Sequence, residues 1–390
     1  MILRPVVATG LGAVGPWGAD LASLSAALAA GRPLAAPIDG GIAALVPEVD
    51  LSPWLPAASA RRLGRPSRWA VARARIALEH AGLTSFEGRR VAVVLATSFG
   101  AVLFTEKLVH QILVEGPESA QPFYFSECVA NAAAAQVALA LGATGENVTV
   151  TQREAGPLLA LARGTAEVAE GRADLALVGS ADEMTPLLHG VLDRFRAIAR
   201  EAPRPFDARR SGVLAGEGAS IAVLEPETDA AARNAGWRVR IAASASAFDP
   251  SASESDWGTG DEPLARGVGR ALAGAGRGMD GIDRIVSGAS GSIRGDRLEA
   301  RVLSRARGSA PPAPVLVPKA VTGEYGGGSL AAAFLAATGV PFGRVAALSG
   351  VEPGLDVLVH DGSPLPAPGA VLASALAAGG AGAWAVLEKA

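Results

Sequence analysis

Thr149-Val150-Thr151-Gln152-Arg153-Glu154-Ala155-Gly156 joins a β-branched run to an Ala/Leu-rich helical pattern that begins near Leu158. Where a strand meets a helix N-terminus, unpaired N–H groups and the positive end of the helix dipole converge, which is why nucleophiles and anions are often held there. This corner carries Arg153. A guanidinium stays protonated and offers no usable lone pair, so it cannot attack as a Cys or Ser would. The corner has the frame of a reactive site without a reacting atom.

On either side of it, strands alternate with helices. Val6 to Ala8 reads as a strand and Thr9 to Pro16 as the turn after it; Ala19 to Ala30 and Trp69 to Ala81 read as helices, the second ended by Gly82. Arg90 to Ala96 reads as a buried strand followed by the loop Thr97–Gly100, and helix signals return over Val102 to Val114 and Asn131 to Leu141. A long helix then runs to about Glu170, with strands at Leu175 to Val178 and Ser220 to Leu224. This alternation predicts a mostly parallel sheet covered on both faces.

The second half repeats the plan. Trp237 to Ser246 mirrors the opening strand, Arg284 to Gly288 mirrors Arg90 to Ala96, and Val315 to Val317 leads through a Gly-rich corner into a helix over Ser329 to Ala337. Leu355 to Val359 is expected to mirror Leu175 to Val178, and Gly382 to Glu388 echoes Gly218 to Glu225. A duplicated α/β half accounts for the two similar endings. The halves are expected at residues 1–228 and 235–390, with Pro226 to Gly236 as a short surface connector.

The 390 residues are 49% hydrophobic, enough for a large core, and Lys+Arg 35 against Asp+Glu 38 gives a net charge of −3. No basic field argues for nucleic acid or a lipid surface, and neither is expected as a partner. The N-terminal run from Met1 to Ala8 has no signal-peptide plan, and no apolar span is long enough to cross a bilayer, so a cytoplasmic location is expected. Cys128 is the single cysteine and His80, His110, His189 and His360 are scattered, so neither a disulfide nor a metal cluster nor another cofactor is implied.

Several ordered motifs resemble the β-ketoacyl-acyl carrier protein synthases of the thiolase fold across essentially the whole chain. Val7 to Val14 looks like that family's opening strand and loop. Arg204-Pro205-Phe206-Asp207-Ala208-Arg209-Arg210-Ser211-Gly212 with Gly216-Glu217-Gly218-Ala219 looks like its Arg-Pro-Phe-Asp and Gly-Glu-Gly-Ala signature. Lys319 with Thr322-Gly323 looks like its Lys-x-x-Thr-Gly-His segment, and Gly379-Gly380 like its C-terminal Gly-rich loop. The resemblance implies a five-layer α/β/α/β/α fold built from two duplicated halves.

It also implies a cysteine nucleophile and two histidines, and other residues stand at all three positions. Arg153 occupies the nucleophile position of Thr151-Gln152-Arg153-Glu154-Ala155-Gly156. Counting back from Gly295-Asp296-Arg297-Leu298-Glu299 puts Gly288 at the first histidine, and Glu324 follows Thr322-Gly323 in place of the second. Lys319, Asp296 and Glu299 are retained. A thiolate is needed to accept the acyl group, and imidazoles to assist decarboxylation and steady the oxyanion; none of the three replacements does this.

This pattern is similar to chain length factors, the inactive partners of condensing subunits in type II polyketide synthases. The resemblance implies a heterodimer with an active ketosynthase, substrate delivery to the complex by an acyl carrier protein, and a role in shaping the tunnel of a polyketide, polyene or fatty-acid-like chain. Such relatives commonly carry Gln where Arg153 stands. A divergent stand-alone acyltransferase with another nucleophile and a purely structural scaffold are the alternative readings.

Arg153 is expected to close the vacated site through an ion pair with Glu154 or Glu324, the alternative being a bound carboxylate or phosphate. Lys319 either meets a carboxylate or serves the old site's network. Phe123-Tyr124-Phe125 with Cys128 and Asn131 falls where the family has its two-fold contact and acyl tunnel; core or interface packing and direct chain contact both remain open. Cys128 reads as a small buried hydrophobe. Ala378 replaces an aromatic that guards the family's acyl entrance.

Overall fold

Ten runs rich in Val, Leu, Ile and Ala form one sheet: β1 (Val6–Val14), β2 (Val91–Ala96), β3 (Asn147–Val150), β4 (Leu175–Asp182), β5 (Gly218–Pro226), β6 (Val239–Phe248), β7 (Arg284–Val286), β8 (Val315–Leu316), β9 (Val371–Leu376) and β10 (Ala381–Lys389). The computed structural model describes residues 3–86 and 88–390; Met1 and Ile2 of the N-terminal apolar run, and Glu87, lie outside the described residues. The sheet order is β8-β7-β9-β10-β6-β1-β5-β4-β2-β3. Counted within each half, both read 3-2-4-5-1, with the fifth strand antiparallel to its neighbours in each case. The two first strands, β1 and β6, join the halves antiparallel through Val7 opposite Arg240 and Ala8 opposite Val239.

Helices make the other three layers. Arg65–His80 and Ala132–Leu141 cover the outer face of the first half, and Asp261–Gly274 and Ile293–Arg307 that of the second. Gly156–Ala169 and Gly328–Ala337 lie between the halves, touching strands of both. The second of these is buried at nine of its ten positions, as a helix with apolar groups all round requires. The fold is therefore the five-layer α/β/α/β/α arrangement of two duplicated halves.

Three local expectations fail for physical reasons. Thr9 to Val14 continues β1 and is not a turn. Its glycines serve close packing: a Cβ on Gly10 would lie 1.9 Å from the Ala77 carbonyl oxygen, and one on Gly12 2.3 Å from that of Arg73. The sheet is mixed and not mostly parallel: β9 and β10 are joined by the tight turn Ala377–Gly380, which forces antiparallel pairing, and in the first half β5 pairs antiparallel with β4 after the long excursion 183–217. Leu355 to Val359 is no strand; only Val359 makes an isolated bridge, to Val315, and Leu358 is half exposed. The counterpart of β4 is β9, buried at every position. Pro226 to Gly236 contains a short helix, Glu227–Ala232.

The arm Arg204–Arg210 carries the first half across to the second. Phe206 is fully buried in the second half's outer core, and its N–H donates to Asp296 Oδ2 at 2.9 Å. Asp207 accepts from the Ser349 N–H (2.6 Å), the Ser349 hydroxyl (2.7 Å) and the Gly350 N–H (3.1 Å). Burial pushes its carboxyl up, but these donors and the Arg209 N–H outweigh it and the pKa falls to about 2. Phe206→Ala is expected to lower unfolding stability by about 3–5 kcal/mol, read as a shifted denaturant midpoint at constant slope. A loss below about 1 kcal/mol would show that the arm does not hold the halves together.

Candidate functional site

The corner between β3 and the helix Gly156–Ala169 is a single turn of 3-10 helix, Arg153–Ala155. Arg153 has φ +40°, a left-handed conformation unusual for a side-chain-bearing residue, at a cost on the order of 1–3 kcal/mol. The conformation turns the half-buried Arg153 side chain toward the second half, where Nη2 donates to the main-chain carbonyl of Glu254, beside Gly379.

The expected ion pair of Arg153 with Glu154 or Glu324 does not form. Glu324 is taken by Lys319, five residues earlier on the same buried segment; the two side chains are 1% and 2% exposed and in direct contact. Glu154 turns inward, with Oε1 3.4 Å from the Tyr325 hydroxyl that donates to it and Oε2 buried without a partner. Burial pushes the Glu324 carboxyl up against the pull of Lys319, with nearby Glu154 adding to the rise. Burial likewise drives the Tyr325 phenol up, so it stays a hydroxyl donor.

The retained acids stand on the first two turns of Ile293–Arg307, whose Ser292 side chain caps the Gly295 N–H at 3.2 Å. Asp296 accepts from the N–H groups of Phe206, Ser290 and Gly291. Glu299 accepts the Gly288 N–H at 3.1 Å. Gly288 is packed tightly: a Cβ there would lie 2.9 Å from Ala375 Cα and 3.0 Å from the Ser374 carbonyl oxygen. No imidazole fits at this position without moving β9. Ala378 sits half-buried in the turn Ala377–Gly380.

The structure thus brings Arg153, Gly288, Glu324, Lys319, Asp296, Glu299 and Ala378 to one seam between the halves. The aromatic segment is elsewhere. Phe123, Tyr124, Phe125 and Cys128 lie on the helix Pro122–Cys128, packed on Val102–His110 through Phe104, with ring centroids 5.7 Å from Phe123 and 5.3 Å from Tyr124. Cys128 is half-buried, its thiol pushed up by burial and donating to the Tyr124 carbonyl at 3.0 Å; Asn131 is exposed. Beside this helix runs an apolar groove lined by Val102, Val109, Leu113, Val114, Tyr124 and Leu187. Leu113 is 77% exposed and Phe125 63%. Sequence reading missed this groove, although Ile112-Leu113-Val114 in a mainly polar helix end signals it; it also missed Tyr325 and Glu254, whose roles depend on contacts across the seam.

Residues 3–230 match the family described as "Beta-ketoacyl synthase, N-terminal domain". The chain belongs to the β-ketoacyl synthase family. It is 33% identical over 254 residues to "Nodulation protein E" of Rhizobium meliloti (strain 1021), covering 63% of this chain and 61% of that protein. It is 29% identical to "3-oxoacyl-[acyl-carrier-protein] synthase 2" of Coxiella burnetii over 78% of each chain. Among solved structures it resembles "The ishigamide ketosynthase/chain length factor" at TM-score 0.91 and 27% identity, covering all of both chains. Among the described residues no helix is long and apolar enough to cross a membrane.

Burial pushes Asp296 from its ordinary 3.8 up to about 7, with the Phe206 N–H and the Arg210 guanidinium pulling back. The folded value lies above the unfolded one, so Asp296 contributes stability that is full below about pH 4 and is lost as pH rises through about 7. Asp207 and Glu352, both held down to about 2, titrate below this window. Glu324, also pushed up to about 7 by burial, titrates in the same window with the same sign, so the unfolding temperature is expected to fall between pH 5 and pH 8 and Asp296→Asn to reduce that slope without abolishing it. An unchanged slope in the variant would contradict the assignment.

Proposed function

We propose that this β-ketoacyl synthase family member is a non-catalytic, chain-length-factor-like subunit that pairs with an active ketosynthase. In that pairing it forms part of the wall and closed end of the tunnel for a growing polyketide or fatty-acid-like chain. The observation that carries the reading is Arg153: at the one corner built to aim a nucleophile, a guanidinium is spent on a main-chain carbonyl. The two halves, 1–228 and 235–390, are read as ketosynthase-like units that keep the scaffold while Arg153, Gly288 and Glu324 stand at the family's reacting positions. The partner then supplies the cysteine and histidines, and an acyl carrier protein brings substrate to the complex.

Two features support a partner. Strand β3 ends the sheet with its outer edge uncovered, and the helix Ala132–Leu141 beside it exposes Leu139 at 75%. The groove near Leu113 and Phe125 is a second exposed apolar surface of a kind expected to be buried in an assembly. The likeness to a solved ketosynthase/chain length factor agrees with the same reading. Phe123 and Tyr124 are read as part of the tunnel's wall, where an added two-carbon unit must be accommodated without a clash.

Co-expression with an active ketosynthase is expected to give a stable heterodimer. Leu113→Glu is expected to weaken it at least about tenfold, since a charge would enter a desolvated contact. Phe123→Ala is expected to keep the complex and lengthen its products. Recovery of only a monomer or homodimer with the ketosynthase present would overturn the pairing, and an unchanged product length would reduce the chain to a scaffold.

A further inference from the structure

Segment 249–260 joins β6 to the helix Asp261–Gly274 and crosses the seam over the Arg153 corner. One buried carboxylate gathers both of its ends: Asp249 Oδ1 accepts from the N–H and hydroxyl of Ser251 at 2.9 and 2.7 Å, and Oδ2 from the Gly260 N–H at 2.8 Å. The C-terminal turn ties it on one side, through the Asp249 N–H to Gly380 O (2.8 Å) and the Gly379 N–H to Asp256 O (3.0 Å). Arg294 ties it on the other, in an ion pair with Asp256 and a hydrogen bond from Nη2 to the Trp257 carbonyl at 3.1 Å. Those anchors all come from the second half; they hold the two ends at Asp249 and Gly260 and the residues Asp256 and Trp257 just after the crest. Its crest, Ser253 to Ser255, is exposed, and what reaches the crest from the first half is the Arg153 guanidinium on the Glu254 carbonyl.

The geometry points to Arg153 as a latch that holds segment 249–260 down over the vestigial corner and so closes it to an incoming chain. Arg153, Glu254 and Gly379 meet at one point: a Cβ on Gly379 would lie 3.4 Å from the Glu254 carbonyl oxygen and 3.6 Å from Arg153 Nη2. The left-handed backbone at 153, which in an active site would aim a short nucleophile at substrate, here aims a long donor at the strap. A side chain of this reach and donor number fits the task; alanine or glycine cannot span the gap. That the excluded chain is a carrier-borne acyl group rests on the function proposed above, whereas the latch itself does not.

Hydrogen–deuterium exchange of the purified protein, alone and in complex with a ketosynthase, tests it. In Arg153→Ala, amides of 252–257 and 378–380 are expected to exchange at least about tenfold faster, with β1, β4 and β5 unchanged. Arg153→Gly, which suits the left-handed backbone, is expected to do the same and serves if the alanine variant folds poorly. Arg153→Lys, still able to donate to the carbonyl, is expected to retain most of the protection. Exchange in 252–257 that matches the unsubstituted protein in both truncating variants would overturn the latch. Unaided condensation by this chain would remove the proposed function and leave the exchange result standing.

Discussion

The left-handed turn at Arg153 is the conformational constraint that aims a guanidinium across the seam between the halves. Such backbone costs on the order of 1–3 kcal/mol and persists only where the surroundings fix it. Here the surroundings are β3 behind it, the buried Ala155 and Gly156 that begin the central helix, and the second half in front. Because the central helix packs on strands of both halves, the direction of the Arg153 side chain is set by the whole five-layer stack.

The seam on which that side chain lands is rich in buried charge. Lys319 meets Glu324, Glu299 holds Gly288, Asp296 gathers three N–H groups, and Arg210 reaches Glu352 at 2.5 Å. Buried ion pairs of this kind add little net stability but are costly to break one partner at a time. Their value is geometric: they fix where the arm at Arg204–Arg210 and the first turns of Ile293–Arg307 sit relative to each other. The positions the resemblance assigns to the two histidines fall within this network, one packed as a glycine and the other neutralised by a lysine.

Much of this was legible in the sequence because it is local. The strand-to-helix corner at Arg153, the repeat of β4-β5 as β9-β10 at its second member, and the spacing that singles out Gly288 and Glu324 all follow from short motifs. What was not legible depends on which residue arrives first from a distance. Arg153 was expected to find Glu154 or Glu324, but Lys319 lies nearer to Glu324 and Tyr325 nearer to Glu154. Gly10 and Gly12 read as turn residues because their packing partner, the helix Arg65–His80, is over fifty residues away. The loss of the parallel expectation has a similar origin, since the direction of β5 follows from a long excursion that no periodicity describes.

The proposed function requires that this β-ketoacyl synthase scaffold carry no reacting group of its own. Intact-mass measurement after incubation with an acyl-carrier-bound acyl group, with and without a ketosynthase partner, tests it most directly. An unmodified mass for this chain in both cases and an acyl adduct on the partner alone are expected. A covalent acyl adduct on this chain would contradict it.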